Sequence, residues 1–224
     1  MRTYRRRKRR KNKTGIIALF LLVILIGTIL VLTPKSSCSP GNTSRGYIDS
    51  SDVSVSRELK KEGIPAFYQF DRRWGDQLYG DKEMSITACG PTCLSMVYCG
   101  LTRDADLHPL AMARLAQEKG YYVNGSGSSW NMMSELAESL GLDVHNIAFT
   151  RDSILQELDQ GHPIICIMGP GDFTDSGHFI VLVQSLGDGM VEIRDPNSRE
   201  NTRKDWDIDL IMSQTRNLWS YSLP

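Results

Sequence analysis

Several common chemistries are missing from this chain. Its five cysteines (Cys38, Cys89, Cys93, Cys99, Cys166) are odd in number and follow no framework spacing, which excludes a disulfide scaffold. There are four histidines, and no two of them have the spacing that puts two ligands on one helix face. No metal site is therefore expected. A Gly-rich phosphate loop, paired Cys-x-x-Cys knuckles and internal repeats are all absent, and no cofactor is expected. The formal net charge is zero but unevenly spread. Residues 1–13 carry nine of the 26 basic residues and no acid, leaving 17 basic against 26 acidic residues beyond them.

The stretch directly after the basic run decides its meaning. From Thr14 to Thr33 there is no charge, and Ile16 to Leu32 is almost wholly Ile, Leu, Val, Ala and Phe. As a helix, twenty residues span about 30 Å, the thickness of a bilayer's hydrocarbon core. Basic residues stay on the cytoplasmic side, so the rest of the chain is expected outside it. A cleaved signal peptide would need a small-x-small site, and Val31-Leu32-Thr33-Pro34-Lys35 is a poor match. The expectation is a cytoplasmic basic segment at 1–13, an uncleaved signal anchor at 14–33 and a membrane partner, with no nucleic acid. Residues 34–61 open with Ser, Pro, Gly and Asn and carry few apolar groups, so they read as a flexible linker. A folded domain is expected over 62–224.

Within it the elements run helices first. A short helix is expected from about Pro91 to Cys99, closed by Gly100, and a second from His108-Pro109 to Lys119. The Gly/Ser-rich stretch Asn124–Ser129 leads into a third helix, Trp130 to Leu140, followed by a strand over Leu142–Phe149. Asp152 or Ser153 is expected to cap a fourth helix that ends at Gln160-Gly161. Then come three strands: Pro163–Met168, Phe179–Gln184 and Met190–Arg194, the last two joined by the turn Gly187-Asp188-Gly189. A short helix near Trp206–Met212 and a strand near Leu218–Tyr221 complete an α+β pattern.

Cys89 lies where helix N–H groups and the positive end of the helix dipole favour an anion, which lowers a thiol pKa. Position alone leaves it open between a nucleophile and a small buried cysteine, the reading given to Cys93. His178 opens one strand and Asp195 closes the next, so antiparallel pairing puts both at one end of a hairpin. An imidazole there can take the proton of a thiol while a carboxylate holds the ring. His108 and His162, each before a proline, read as turn residues, His145 as part of a short strand, and Asp172 and Asp175 as solvated.

Taken in order, Tyr68-Gln69-x-Asp71-x-x-Trp74, Cys89-Gly90-Pro91-Thr92, the Gly/Ser loop, Gly177-His178-Phe179-Ile180-Val181-Leu182 and Arg194-Asp195-Pro196 resemble one family. It is the papain-like cysteine peptidases of family 39, related to bacteriocin-processing double-glycine leader peptidases, in their stand-alone branch. The resemblance covers about residues 64–221. It implies a papain-like domain over 62–224, with N-terminal helices packed on a C-terminal antiparallel sheet. It further implies Cys89 as nucleophile, His178 as base and acid, Asp195 as the orienting residue and Gln69 as an oxyanion donor. In the transporter-linked members the glutamine lies only a few residues before the cysteine, and here that place holds Glu83. The implied activity is hydrolysis of peptide or amide bonds in an extracytoplasmic peptide or protein. Its rivals are acyl transfer to an amine and an inactive domain that only binds. The sequence does not specify an oligomeric state.

Overall fold

The run 164–168 is apolar at every position because both of its faces are covered. In the computed structural model, which describes residues 46–224, it is the strand β6 (Ile164–Met168) inside a six-stranded antiparallel sheet. The sheet order is β5-β10-β6-β7-β8-β9, from β5 (Asp143–His145) and β10 (Thr215–Ser222) through β7 (His178–Gly187) and β8 (Met190–Arg194) to β9 (Asp205–Asp207). Side chains alternate across a strand, and the burial follows that parity. Ile165, Ile167, Phe179, Val181, Trp219 and Tyr221 pack on one face. Ile164, Cys166, Met168, Ile180, Leu182 and Leu218 pack on the other.

Different helices cover the two faces. The first face carries α2 (Cys89–Thr102), α3 (Pro109–Glu118) and the π-helical segment Met132–Leu136, which continues as α4 (Ala137–Ser139). The second carries α5 (Arg151–Asp159) and α6 (Ile208–Gln214), through Ile154, Leu158, Ile208 and Ile211. The α+β expectation stands, but with helices on both faces of the sheet instead of an N-terminal set on one. Two short hairpins flank the first face: β1 (Leu78–Tyr79) with β2 (Lys82–Glu83), and β3 (Tyr122–Val123) with β4 (Gly127–Ser128). A four-residue helix, α1 (Met84–Thr87), joins the first hairpin to α2.

Several expected boundaries move, each for a local reason. Helix α2 starts at Cys89 itself and runs through Gly100 to Thr102. Arg103 takes the left-handed cap at φ 61° and donates to the carbonyls of Leu59, Lys61 and Gly63. Gly100 is a packing glycine instead, because a Cβ there would sit 2.5 Å from Ile64 Cδ1 and 3.0 Å from Ile64 Cα. The cap of α5 is Thr150, whose side chain accepts from the Ser153 N–H, and neither Asp152 nor Ser153. The strand expected over 142–149 shortens to Asp143–His145, the residues that pair with β10. Trp206 belongs to β9, and α6 begins after it behind the Asp207 cap.

The basic segment 1–13, the anchor 14–33, Cys38 and the first part of the linker lie outside the described residues. The described part of the linker, 46–61, is packed: Val55 is fully buried, and the Ile48 N–H donates to Gln77 Oε1. A few apolar side chains (Ile48, Val53, Val55, Leu59) within a polar stretch suffice to seat it. Among the described residues no helix is long and apolar enough to cross a membrane.

Candidate active site

The β6–β7 ladder is regular over five pairs, from Ile164↔Leu182 to Met168↔His178, and β7 pairs β8 with Val181 opposite Arg194. This register brings the start of β7 and the end of β8 to one edge of the sheet, where α2 begins. His178 and Asp195 meet there. The His178 Nε2–H donates to Asp195 Oδ1 at 2.7 Å, and both residues are buried.

Neighbouring groups fix the Asp195 carboxylate. The Asn197 N–H donates to Oδ1 and Asn201 Nδ2 donates to Oδ2, each at 2.8 Å, while the Asp195 N–H donates to Thr202 Oγ1. Sequence reasoning missed Asn197, Asn201 and Thr202. The Asp-Pro-Asn turn carried the only local signal, since an Asp side chain readily accepts from the backbone two residues on.

With Nε2 taken up by Asp195, Nδ1 is the ring nitrogen left to act on Cys89. The sulfur also receives the backbone N–H groups of Phe179 and Gly90. Burial by itself would push the Cys89 thiol up, but the hydrogen bond and positive charge of His178, with those two N–H groups, outweigh it and hold the thiol below its ordinary value. Burial would likewise lower His178. The bonds to Asp195 and Cys89 prevail, and the imidazole is pushed up to about 10. Both shifts act in the same sense, toward a thiolate beside an imidazolium. The other described cysteines are free and buried: burial raises Cys93 well above the ordinary thiol value and Cys99 and Cys166 to about 12. Cys93 donates to the Phe179 carbonyl, so the peptide of that one residue contacts both cysteines of the helix start.

Gln69 is buried beside this edge. Its N–H donates to the Pro196 carbonyl at 2.9 Å and its Nε2 to the Ser85 carbonyl at 2.7 Å, which ties the Asp195 loop to α1 just ahead of Cys89. One Nε2 hydrogen remains, and Oε1 has no partner. The other histidines lie elsewhere. His108 caps α3, whereas His145 and His162 stack on each other at 5.2 Å. Asp172 is hydrogen-bonded to Gln214 and Asp175 is exposed. Among the described residues no group of three or more His, Cys, Asp or Glu is placed to hold a metal.

A cleft of about 340 Å³ opens at Cys89, with Ser126, Ser128 and Trp130 on one side and Gly169, Gly177 and Arg216 among the groups on the other. Close packing narrows its floor, since a Cβ on Gly90 would lie 2.8 Å from Ser128 Oγ. The sequence model of the Peptidase C39-like family matches residues 61–222. No curated protein matches the chain.

Proposed function

The chain belongs to the Peptidase C39-like family, and from that premise we propose that it is a cysteine peptidase of papain-like fold hydrolysing peptide bonds through Cys89, His178 and Asp195. In this reading the Cys89 thiolate attacks the scissile carbonyl, and the C–N bond breaks as the His178 imidazolium gives its proton to the departing amine. The resulting thioester is hydrolysed by water, whose proton His178 takes. The carboxylate product leaves, and the sulfur returns to its starting state. Asp195 holds the ring through its 2.7 Å bond and stabilises its charge. The negative charge that develops on the carbonyl oxygen is met by the Cys89 backbone N–H and the remaining Nε2 hydrogen of Gln69.

The observation that carries this reading is the hydrogen-bonded series Cys89–His178–Asp195 ending in an open cleft. The reading extends to placement: residues 14–33, uncharged and preceded by nine basic residues, anchor the domain on the outer side of a membrane. The test incubates the full chain with a peptide library and compares it with Cys89→Ala. Cleavage by the wild type, with product formation at least a thousandfold lower in a Cys89→Ala chain of unchanged circular dichroism, supports the proposal. Equal cleavage by the two proteins refutes it.

A further inference from the structure

One strong cation in the cleft has no partner. Among the described residues lining it, Arg216 is the only ionisable side chain besides Cys89. Three other arginines are engaged with carboxylates: Arg73 with Asp71 and Glu58, Arg151 with Asp209, Arg194 with Glu192. Arg216 is exposed, and no described residue forms an ion pair or hydrogen bond with its guanidinium.

Two backbone features aim it into the cleft. β10 pairs Thr215 with Met168 and Asn217 with Ile167, so Arg216 is the extra residue of a β-bulge. A bulge redirects the side chain of its inserted residue, and without it Arg216 would follow the alternation of the strand. The guanidinium stem lies flat on Gly169, where a Cβ would stand 2.3 Å from Arg216 Nε. Only glycine leaves that space. The bulge and the glycine together present a planar fork of N–H donors along the wall of a cleft that ends at the reactive sulfur.

The register sets the distance. Thr215, Met168 and His178 form one row across three neighbouring strands. Strands lie about 4.8 Å apart, so the Arg216 backbone is on the order of 10 Å from that of His178, a span of about three residues of extended peptide. A guanidinium in that setting matches a carboxylate in two-pronged fashion.

Resting on the peptidase reading above, we propose that Arg216 is the specificity-determining residue of the cleft and selects peptides bearing a carboxylate two or three residues from the scissile bond. The substrate class is then acidic peptide, with Asp or Glu at that position or a chain terminus close enough to supply its own carboxylate.

The experiment uses full-length chains and peptide twins that differ only by Asp against Asn at the second or third position on either side of the cleavable bond, each with a free or an amidated C-terminus. Binding is measured by fluorescence anisotropy on Cys89→Ala, so that no turnover is required. The Asp twin should bind about tenfold more tightly than the Asn twin, about 1.4 kcal/mol. That ratio should fall toward one in Cys89→Ala/Arg216→Ala and shrink with added salt. In Cys89→Ala/Arg216→Glu a Lys twin should become the preferred ligand, an inversion that a merely structural role for Arg216 would not produce. Gly169→Ala, which displaces the far end of a flexible side chain, should weaken the preference without unfolding the chain. If only free-terminus peptides respond to Arg216, the terminal carboxylate is the group read; if amidated Asp peptides respond, the side chain is. Equal binding of all twins, or a preference that survives Arg216→Ala, overturns the inference even where the wild type cleaves peptides. Selective binding with no cleavage by the wild type overturns the peptidase reading alone.

Discussion

Replacing Asp195 with Asn tests the site at its least replaceable hydrogen bond. The carboxylate accepts from His178, from the Asn197 N–H and from Asn201 Nδ2 at 2.7–2.8 Å, and it is almost fully buried. An amide is neutral and turns one of those two oxygens into a donor. A hydrogen bond to a charged partner is worth about 1.5–3 kcal/mol, and each pKa unit is 1.36 kcal/mol, so losing it lowers the imidazole by about one to two units. In the wild type His178 is raised to about 10 and Cys89 lies below its ordinary value, so the thiolate–imidazolium pair persists between the two. In Asp195→Asn the upper limit falls to about 8–9 on that arithmetic. The lower limit rises, because a less stable imidazolium supports the thiolate less. The window closes from both sides.

The assay is the rate of alkylation of Cys89 by iodoacetamide against pH, resolved by mass spectrometry of the labelled peptide. Cys93, Cys99 and Cys166 are buried with raised pKa values and stay silent at neutral pH. An ordinary thiol is about 3% ionised at pH 7, so full ionisation multiplies the thiolate by at most about 30-fold, partly offset by the lower nucleophilicity of a weaker base. The wild type should begin its plateau at lower pH than an ordinary thiol and show a second inflection near 10, and Asp195→Asn should show a shorter plateau. A fully superimposable profile would mean that Asp195 does not stabilise the His178 imidazolium, and the reasoning fails. The fold should survive, since one mismatched buried donor costs about 1–3 kcal/mol, or a Tm loss of a few degrees.

Gly100→Ala should destabilise the chain although alanine is the better helix former by about 1 kcal/mol, because its Cβ would press on Ile64 Cδ1 at 2.5 Å. A net loss of about 1–2 kcal/mol, read as a Tm drop in thermal denaturation, is expected; an unchanged or raised Tm would show that Ile64 gives way freely. Starting the chain at residue 62 instead of 46 removes buried Val55 and two of the carbonyls that hold Arg103. Burial of one valine is worth about 1.5–3 kcal/mol, so the shorter chain should unfold at least about 3 °C below the longer one by differential scanning calorimetry.

Much of the sheet was legible because its signals are local. The turn Gly187-Asp188-Gly189 takes three consecutive positive φ values of 85°, 50° and 78°, which glycine and aspartate tolerate best. The β-branched runs on either side lie in strands as their composition implies. Cys89, His178 and Asp195 were legible as ends of elements, and the register of β7 and β8 brings His178 to Asp195. What escaped was decided by partners distant in sequence. Gly100 answers to Ile64, Arg103 to the carbonyls of 59–63, and Gln69 to Ser85 and Pro196. Arg216 is set by an irregularity between two strands nearly fifty residues apart.

Apolar packing on two faces explains why the reactive edge is well determined. A one-residue slip of β7 against β6 would exchange the faces, sending Ile180 and Leu182 toward α2 and Phe179 and Val181 toward α5 and α6. Each set is buried in its own core cluster, so the slip would disrupt both at once. The irregularities that β7 does carry lie between Leu182 and Gln184 and between Ser185 and Gly187, at the far end from His178. Hydrophobic burial therefore holds the ladder regular over the five pairs that lead to the imidazole. The position of a polar, reactive edge is set by apolar residues that take no part in its chemistry.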